Sequence, residues 1–134
     1  MSQKASRVMA MLSVADIDKS LAFYRDTLGG TIVYQFPPEG PPVFLTLAFG
    51  TTELGIGLVT DAPLHGRSLR PANGHRIELC ITVDDTDAAI AALADIGAPT
   101  ILGATDQPWG ERMAYVEDPD GNLVMLAAAI DRQN

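Results

Sequence analysis

Apolar and polar positions alternate at the start of the chain, where Val8, Ala10, Leu12 and Val14 are separated by Met9, Met11 and Ser13. That period of two predicts a strand with one face against a core. Asp16 and Asp18 follow, residues that accept backbone N–H bonds and suit the positive end of a helix. Leu21, Tyr24 and Leu28 then recur at helical spacing, and Gly29 and Gly30 end the run. The same succession returns at an offset of 69: Ile77, Leu79, Ile81 and Val83 alternate with Glu78, Cys80 and Thr82, Asp85 and Asp87 precede Ile90, Leu93 and Ile96, and Gly97 closes. Over residues 14–33 and 83–102, seven of twenty aligned positions are identical: Val14/Val83, Asp16/Asp85, Asp18/Asp87, Ala22/Ala91, Asp26/Asp95, Thr31/Thr100 and Ile32/Ile101.

Close to that offset PVFLTLAFG also overlaps GERMAYVED, and TELGIGL overlaps NLVMLA, each pair reading as strand, turn, strand. In the second copy the turn is Asp118-Pro119-Asp120-Gly121, with proline pre-set for its first corner and glycine tolerating positive φ. The expectation is an α+β chain forming a single domain, 1–134, of two βαβββ units at 1–60 and 76–134. Residues 61–75, with two prolines, two glycines and no periodicity, join them as a linker.

The segments VADIDKSLAFYRDTLGG, VDDTDAAIAALADIGA and PWGERMAYVEDPDGNLVML, in this order, resemble the vicinal oxygen chelate superfamily of glyoxalase I, bleomycin-resistance and extradiol-dioxygenase relatives. In character the chain is most similar to the metal-free antibiotic-binding resistance proteins. The resemblance implies that the units curl their sheets into a cup, helices outside, that holds the ligand. It implies too that catalytic relatives project metal ligands into the cup from the first and last strands of each unit. Here those positions carry Met9 and Glu78 on the first strands, and Ile56 and Met125 on the last. Catalytic zinc, manganese or iron normally takes about three nitrogen or oxygen ligands and keeps an open position. One carboxylate and three apolar side chains do not supply them, so neither a metal nor another cofactor is expected. His75 is three residues from Glu78 and points to the opposite face if the strand extends that far, while His65 lies in the linker.

Composition narrows the partners. The net charge of -8 comes from acidic residues spread along the chain, and the clustered Lys and Arg that phosphate binding needs are missing, which argues against nucleic acid. Cys80 is the single cysteine, so no internal disulfide can form and a reducing compartment fits. VMAMLSVA resembles a short signal core but alternates like a strand, and no segment approaches the roughly 20 apolar residues of a membrane span. A cytoplasmic protein without membrane contact is expected.

If Val8, Ala10, Leu12, Val14 and their counterparts lie under the helices, the other strand faces line the cup. Those faces carry Met9, Met11, Ser13, Glu78, Cys80 and Thr82, then Met113, Tyr115 and Met125 on the last hairpin, and Phe44, Thr46 and Ile56 on its repeat. Tyr34 and Phe36 are further wall candidates, and Trp109, the only tryptophan, precedes the last hairpin. Adaptable methionines, aromatic rings and a few placed polar groups suit an apolar ligand site, although the same residues could pack on one another or on a second subunit. Trp109 could stack on a planar or cationic ligand or on its own loop. Glu78 has three readings: ion-pair partner of Arg76, counter-ion, or proton-transfer base. Cys80 reads as a small hydrophobe, with neither histidine placed to activate it.

The predicted function is metal-free sequestration of a hydrophobic, partly cationic small molecule such as an antibiotic, by a homodimer with no catalytic residue. The alternatives are a metal-dependent enzyme of glyoxalase or dioxygenase type, a metal-independent isomerase or lyase using Glu78, and a degenerate relative whose cup is filled by its own side chains.

Overall fold

The computed structural model describes residue 4, residues 6–59 and residues 74–130. Residues 61–73 of the expected linker, with His65, lie outside these. The first half runs β1 (Ala10–Val14), α1 (Ile17–Leu21) continuing as a π-helical segment (Ala22–Thr27), β2 (Thr31–Phe36), β3 (Phe44–Phe49) and β4 (Thr52–Leu58). The second runs β5 (Leu79–Thr82), α2 (Thr86–Asp95), β6 (Thr100–Asp106), β7 (Glu111–Glu117) and β8 (Leu123–Ala129).

The two halves begin with the same local chemistry. Asp16 Oδ1 accepts the Lys19 N–H at 3.1 Å and Asp85 Oδ1 accepts the Ala88 N–H at 3.1 Å, so each satisfies one of the unpaired donors that open a helix. Each half folds into a four-stranded curved mixed sheet, ordered β1-β4-β3-β2 and β5-β8-β7-β6. In each, the first strand is parallel to the last, a pairing that requires the helical crossover between them. The fold is α+β, as the pattern predicted.

The helices lie between the halves: each packs on its own sheet, and the π-helical segment touches α2. One core therefore draws Val14, Phe23, Tyr24, Leu45, Leu47 and Ile56 from the first half and Leu93, Val116, Val124 and Leu126 from the second. Helical periodicity picked out Leu21 and Tyr24, but Phe23 is fully buried as well. Its ring meets Tyr24 edge-on at 4.7 Å, because this helix has neighbours on two sides. Four other expectations are corrected. Ala10, although within β1, is exposed rather than under a helix. Val8 and Ile77 precede their strands and stand 91% and 86% exposed rather than under helices, and Ile96, past the end of α2, is exposed.

The repeat is not gapless. Thr46 and Tyr115 are equivalents at the offset of 69, yet they pair across their hairpins with Gly55 and Met125, which are 70 apart. The extra residue sits in the turn: Ala48 pairs with Glu53 around four intervening residues, Glu117 with Leu123 around five. Because side chains alternate with a period of two, a one-residue slip exchanges the faces of a whole strand. Ile56, expected in the cup, is therefore fully buried beside Leu45 in the core, and Gly55 and Gly57 take the opposite face.

Among the described residues no helix is long and apolar enough to cross a membrane.

Candidate functional site

The faces turned away from the helices follow from the strand register. In the second half Cys80 and Met125 are neighbours, as are Tyr115 and Met125, and Met113 and Ala127, so one surface carries Cys80, Met113, Tyr115 and Met125. Ala114, Val116, Val124 and Leu126, on the same strands, point the other way into the core. Just before β5, Glu78 Oε1 accepts a hydrogen bond from the Tyr115 hydroxyl at 2.8 Å. Glu78 thus pairs with Tyr115, not with Arg76, and it is exposed rather than buried. The bond to Glu78, then partial burial and the carboxylate charge, raise the Tyr115 pKa. The Cys80 thiol is also pushed up, first by burial and then by the charges of Glu111 and Glu78. It is a protonated, weakly nucleophilic thiol at neutral pH.

In the first half the open face carries Met11 beside Gly55, Phe44 beside Gly57 and Phe36, and Tyr34 beside Thr46. The rings of Tyr34 and Phe44 lie 6.1 Å apart and tilted at 58°. Met11, Tyr34 and Phe36 are all more than half exposed, a concentration of apolar surface of the kind that marks binding faces. Met9 precedes β1 and is half-buried, its sulfur 3.6 Å from Arg7 Nη2. Trp109 sits on the loop into β7, 61% exposed, with Nε1 donating to Glu111 Oε1 at 2.9 Å.

Of the twelve residues picked from the sequence, the structure thus gathers Met113, Tyr115, Met125 and Cys80, with Glu78 and Trp109 nearby, on one face. Met11, Phe44, Tyr34 and Phe36, with Met9 adjacent, lie on the other, and Ile56 is excluded. A groove of about 620 Å3 lies elsewhere, between β5 and the β3–β4 turn, and shares only Cys80 with this set. Sequence reasoning missed Gly55, whose place on the open face depends on turn length, and Glu111, whose link to Trp109 spans two residues.

With the register corrected, the four positions at which the resemblance implies metal ligands carry Met9, Gly55, Glu78 and Met125. A glycine contributes no donor, the two thioethers are poor ligands for hard or borderline divalent ions, and the one carboxylate already accepts from Tyr115. Among the described residues no three His, Cys, Asp or Glu side chains group so as to hold a metal. This donor set does not fit a catalytic divalent cation.

Two βαβββ units, each closing a four-stranded mixed sheet with an apolar open face, define the class of fold. The family profile described as "Glyoxalase/Bleomycin resistance protein/Dioxygenase superfamily" matches residues 6–126, and the chain belongs to that superfamily. It is 34% identical over 121 residues to a lactoylglutathione lyase of Haemophilus influenzae, covering 83% of each chain. Among solved structures, a glyoxalase-related enzyme from Fulvimarina pelagi superposes with a TM-score of 0.73 at 22% identity, covering 92% of this chain and 88% of that one. TnmS3, an antibiotic binding protein from Streptomyces sp. CB03234, superposes with a TM-score of 0.65 at 28% identity, covering 96% and 99%.

Proposed function

We propose that the protein binds and sequesters an apolar, partly cationic small molecule on its open sheet faces without a metal ion. It works in the cytoplasm as a homodimer in which each face is closed by a second copy. The observation that carries this reading is the state of the acids beside the second-half face: Glu78 accepts from the Tyr115 hydroxyl and Glu111 from Trp109 Nε1, on a sheet whose open face carries Cys80, Met113 and Met125, with no second carboxylate or imidazole at the other ligand positions. Carboxylates beside aromatic and thioether side chains suit a cationic ligand, and the net charge of -8 favours its approach. The likeness to an antibiotic binding protein points the same way.

Purified protein is titrated with the cationic antibiotics doxorubicin and bleomycin, followed by thermal shift and calorimetry, with and without chelator. Binding of at least one, undiminished by chelator, is expected. Glu78→Gln keeps an acceptor for Tyr115 but removes the charge, and weakens that binding roughly five- to tenfold. Binding that requires added divalent metal refutes the reading. The likeness to a lactoylglutathione lyase favours a second reading as an enzyme, tested by turnover of S-lactoylglutathione with added nickel or zinc.

A further inference from the structure

Thr46 is only 5% exposed, and its Oγ1 has no hydrogen-bond partner among the described residues. In the second half the equivalent position is Tyr115, whose longer side chain carries its hydroxyl to Glu78; Met9, at the position equivalent to Glu78, offers no oxygen. Burying a hydroxyl without a partner is unfavourable, so its retention is informative.

The hydroxyl belongs to the open face. Leu45 and Leu47, on either side of Thr46, are fully buried in the core, and Thr46 pairs with Tyr34 on β2 and Gly55 on β4. Beside it the face has a notch: Gly55 lacks a side chain, and the Met11 sulfur lies 2.5 Å from where a Cβ on Gly55 would stand, with the Phe44 ring at 3.5 Å. The thioether fills the notch. Being unbranched and flexible, it can leave at small cost in favour of a ligand.

We infer that this notch is a ligand subsite in which Met11 swings aside for the edge of a flat ring and Thr46 Oγ1 donates a hydrogen bond to a ring carbonyl. The inference rests on the capture reading and narrows its ligand class to planar conjugated carbonyl compounds such as polycyclic quinones. Tyr34, Phe36 and Phe44 supply the aromatic wall, and the carbonyl oxygen supplies the acceptor that Met9 does not.

A matched pair of probes, 2-(hydroxymethyl)anthraquinone and 2-(hydroxymethyl)anthracene, differs in the ring carbonyls. The wild type is expected to prefer the quinone roughly five- to tenfold. Thr46→Val, nearly the same shape, abolishes the preference and leaves the affinity for the anthracene unchanged; Thr46→Ser restores it. Without ligand, Thr46→Val melts at least about 2 °C higher, because an unsatisfied hydroxyl has been removed. If both probes bind and the preference is absent, or survives in Thr46→Val, the subsite is overturned while the capture reading stands. If neither probe binds the wild type, the subsite is again overturned, and the capture reading is judged separately by doxorubicin and bleomycin.

Discussion

Replacing Tyr24 with Phe removes a hydroxyl that donates to Asp118 Oδ2 at 2.6 Å and leaves the fully buried ring in place. The bond joins the helix of the first half to the β7–β8 turn of the second, 94 residues away. Asp118 is 3% exposed and also accepts from Asp120 N at 3.0 Å, Asn122 N at 2.8 Å and Asn122 Nδ2 at 2.8 Å. A hydrogen bond to a buried charge contributes about 1.5–3 kcal/mol. Three donors remain on the carboxylate after the substitution, so the loss belongs at the low end, about 1.5–2 kcal/mol. For a chain of this length that lowers Tm by roughly 5–8 °C. The pH does not blunt the effect: burial first, then the Asp118 charge, hold the Tyr24 hydroxyl far above the ordinary tyrosine range, so it stays a donor wherever the protein is folded. Urea and thermal unfolding followed by far-UV circular dichroism measure the change, since the one tryptophan is at the surface. Tyr115→Phe, whose bond to Glu78 is exposed, serves as the control and loses less than about 1 kcal/mol. A drop below about 2 °C for Tyr24→Phe would show that the halves are held together by apolar packing alone.

Three further substitutions test the register and the turn. Ile56→Ala empties a core position and costs about 2–5 kcal/mol, whereas Met125→Ala on the open face costs under about 1.5 kcal/mol; denaturant midpoints that reverse this order would put Ile56 back in the cup. Asp120 is pushed above its ordinary 3.8 first by burial, then by the charges of Asp118 and Asp16, against the Ala15 N–H that lowers it. A raised folded pKa means that the protonated form is favoured by folding, so its stabilising contribution is full below the unfolded value and disappears as pH rises through the folded one. Asp120→Asn keeps an acceptor for the Ala15 N–H without the charge. It should gain stability relative to wild type between pH 3 and pH 7, and a relative loss on raising the pH refutes the assignment.

The two βαβββ units, their aspartate caps and the βαβββ order of each half were legible in the chain because they rest on local chemistry. Alternation marks strands, an acidic residue satisfies orphan N–H groups, and glycine ends a helix, wherever the segment finally lies. That Met113, Tyr115 and Met125 share the face opposite the core was legible too, since once one residue of a strand is oriented the rest follow. What an ungapped repeat hid was the orientation of β4: in TELGIGL, Leu54, Ile56 and Leu58 alternate with Glu53, Gly55 and Gly57, but carrying the offset of 69 through a turn that is one residue shorter assigns Ile56 to the wrong face. The folded hairpin puts Ile56 inside and Gly55 on the opposite face, covered by Met11. The same holds for contacts made at long range. Asp118 reads as a turn residue until Tyr24 arrives from the other half, and Glu78 reads as a partner for Arg76 until Tyr115 is brought to it across the sheet. The chain by itself determined its elements and the chemistry each face would carry; the tertiary structure decided which face looks outward and which polar groups find partners, because those depend on pairings made far apart in sequence.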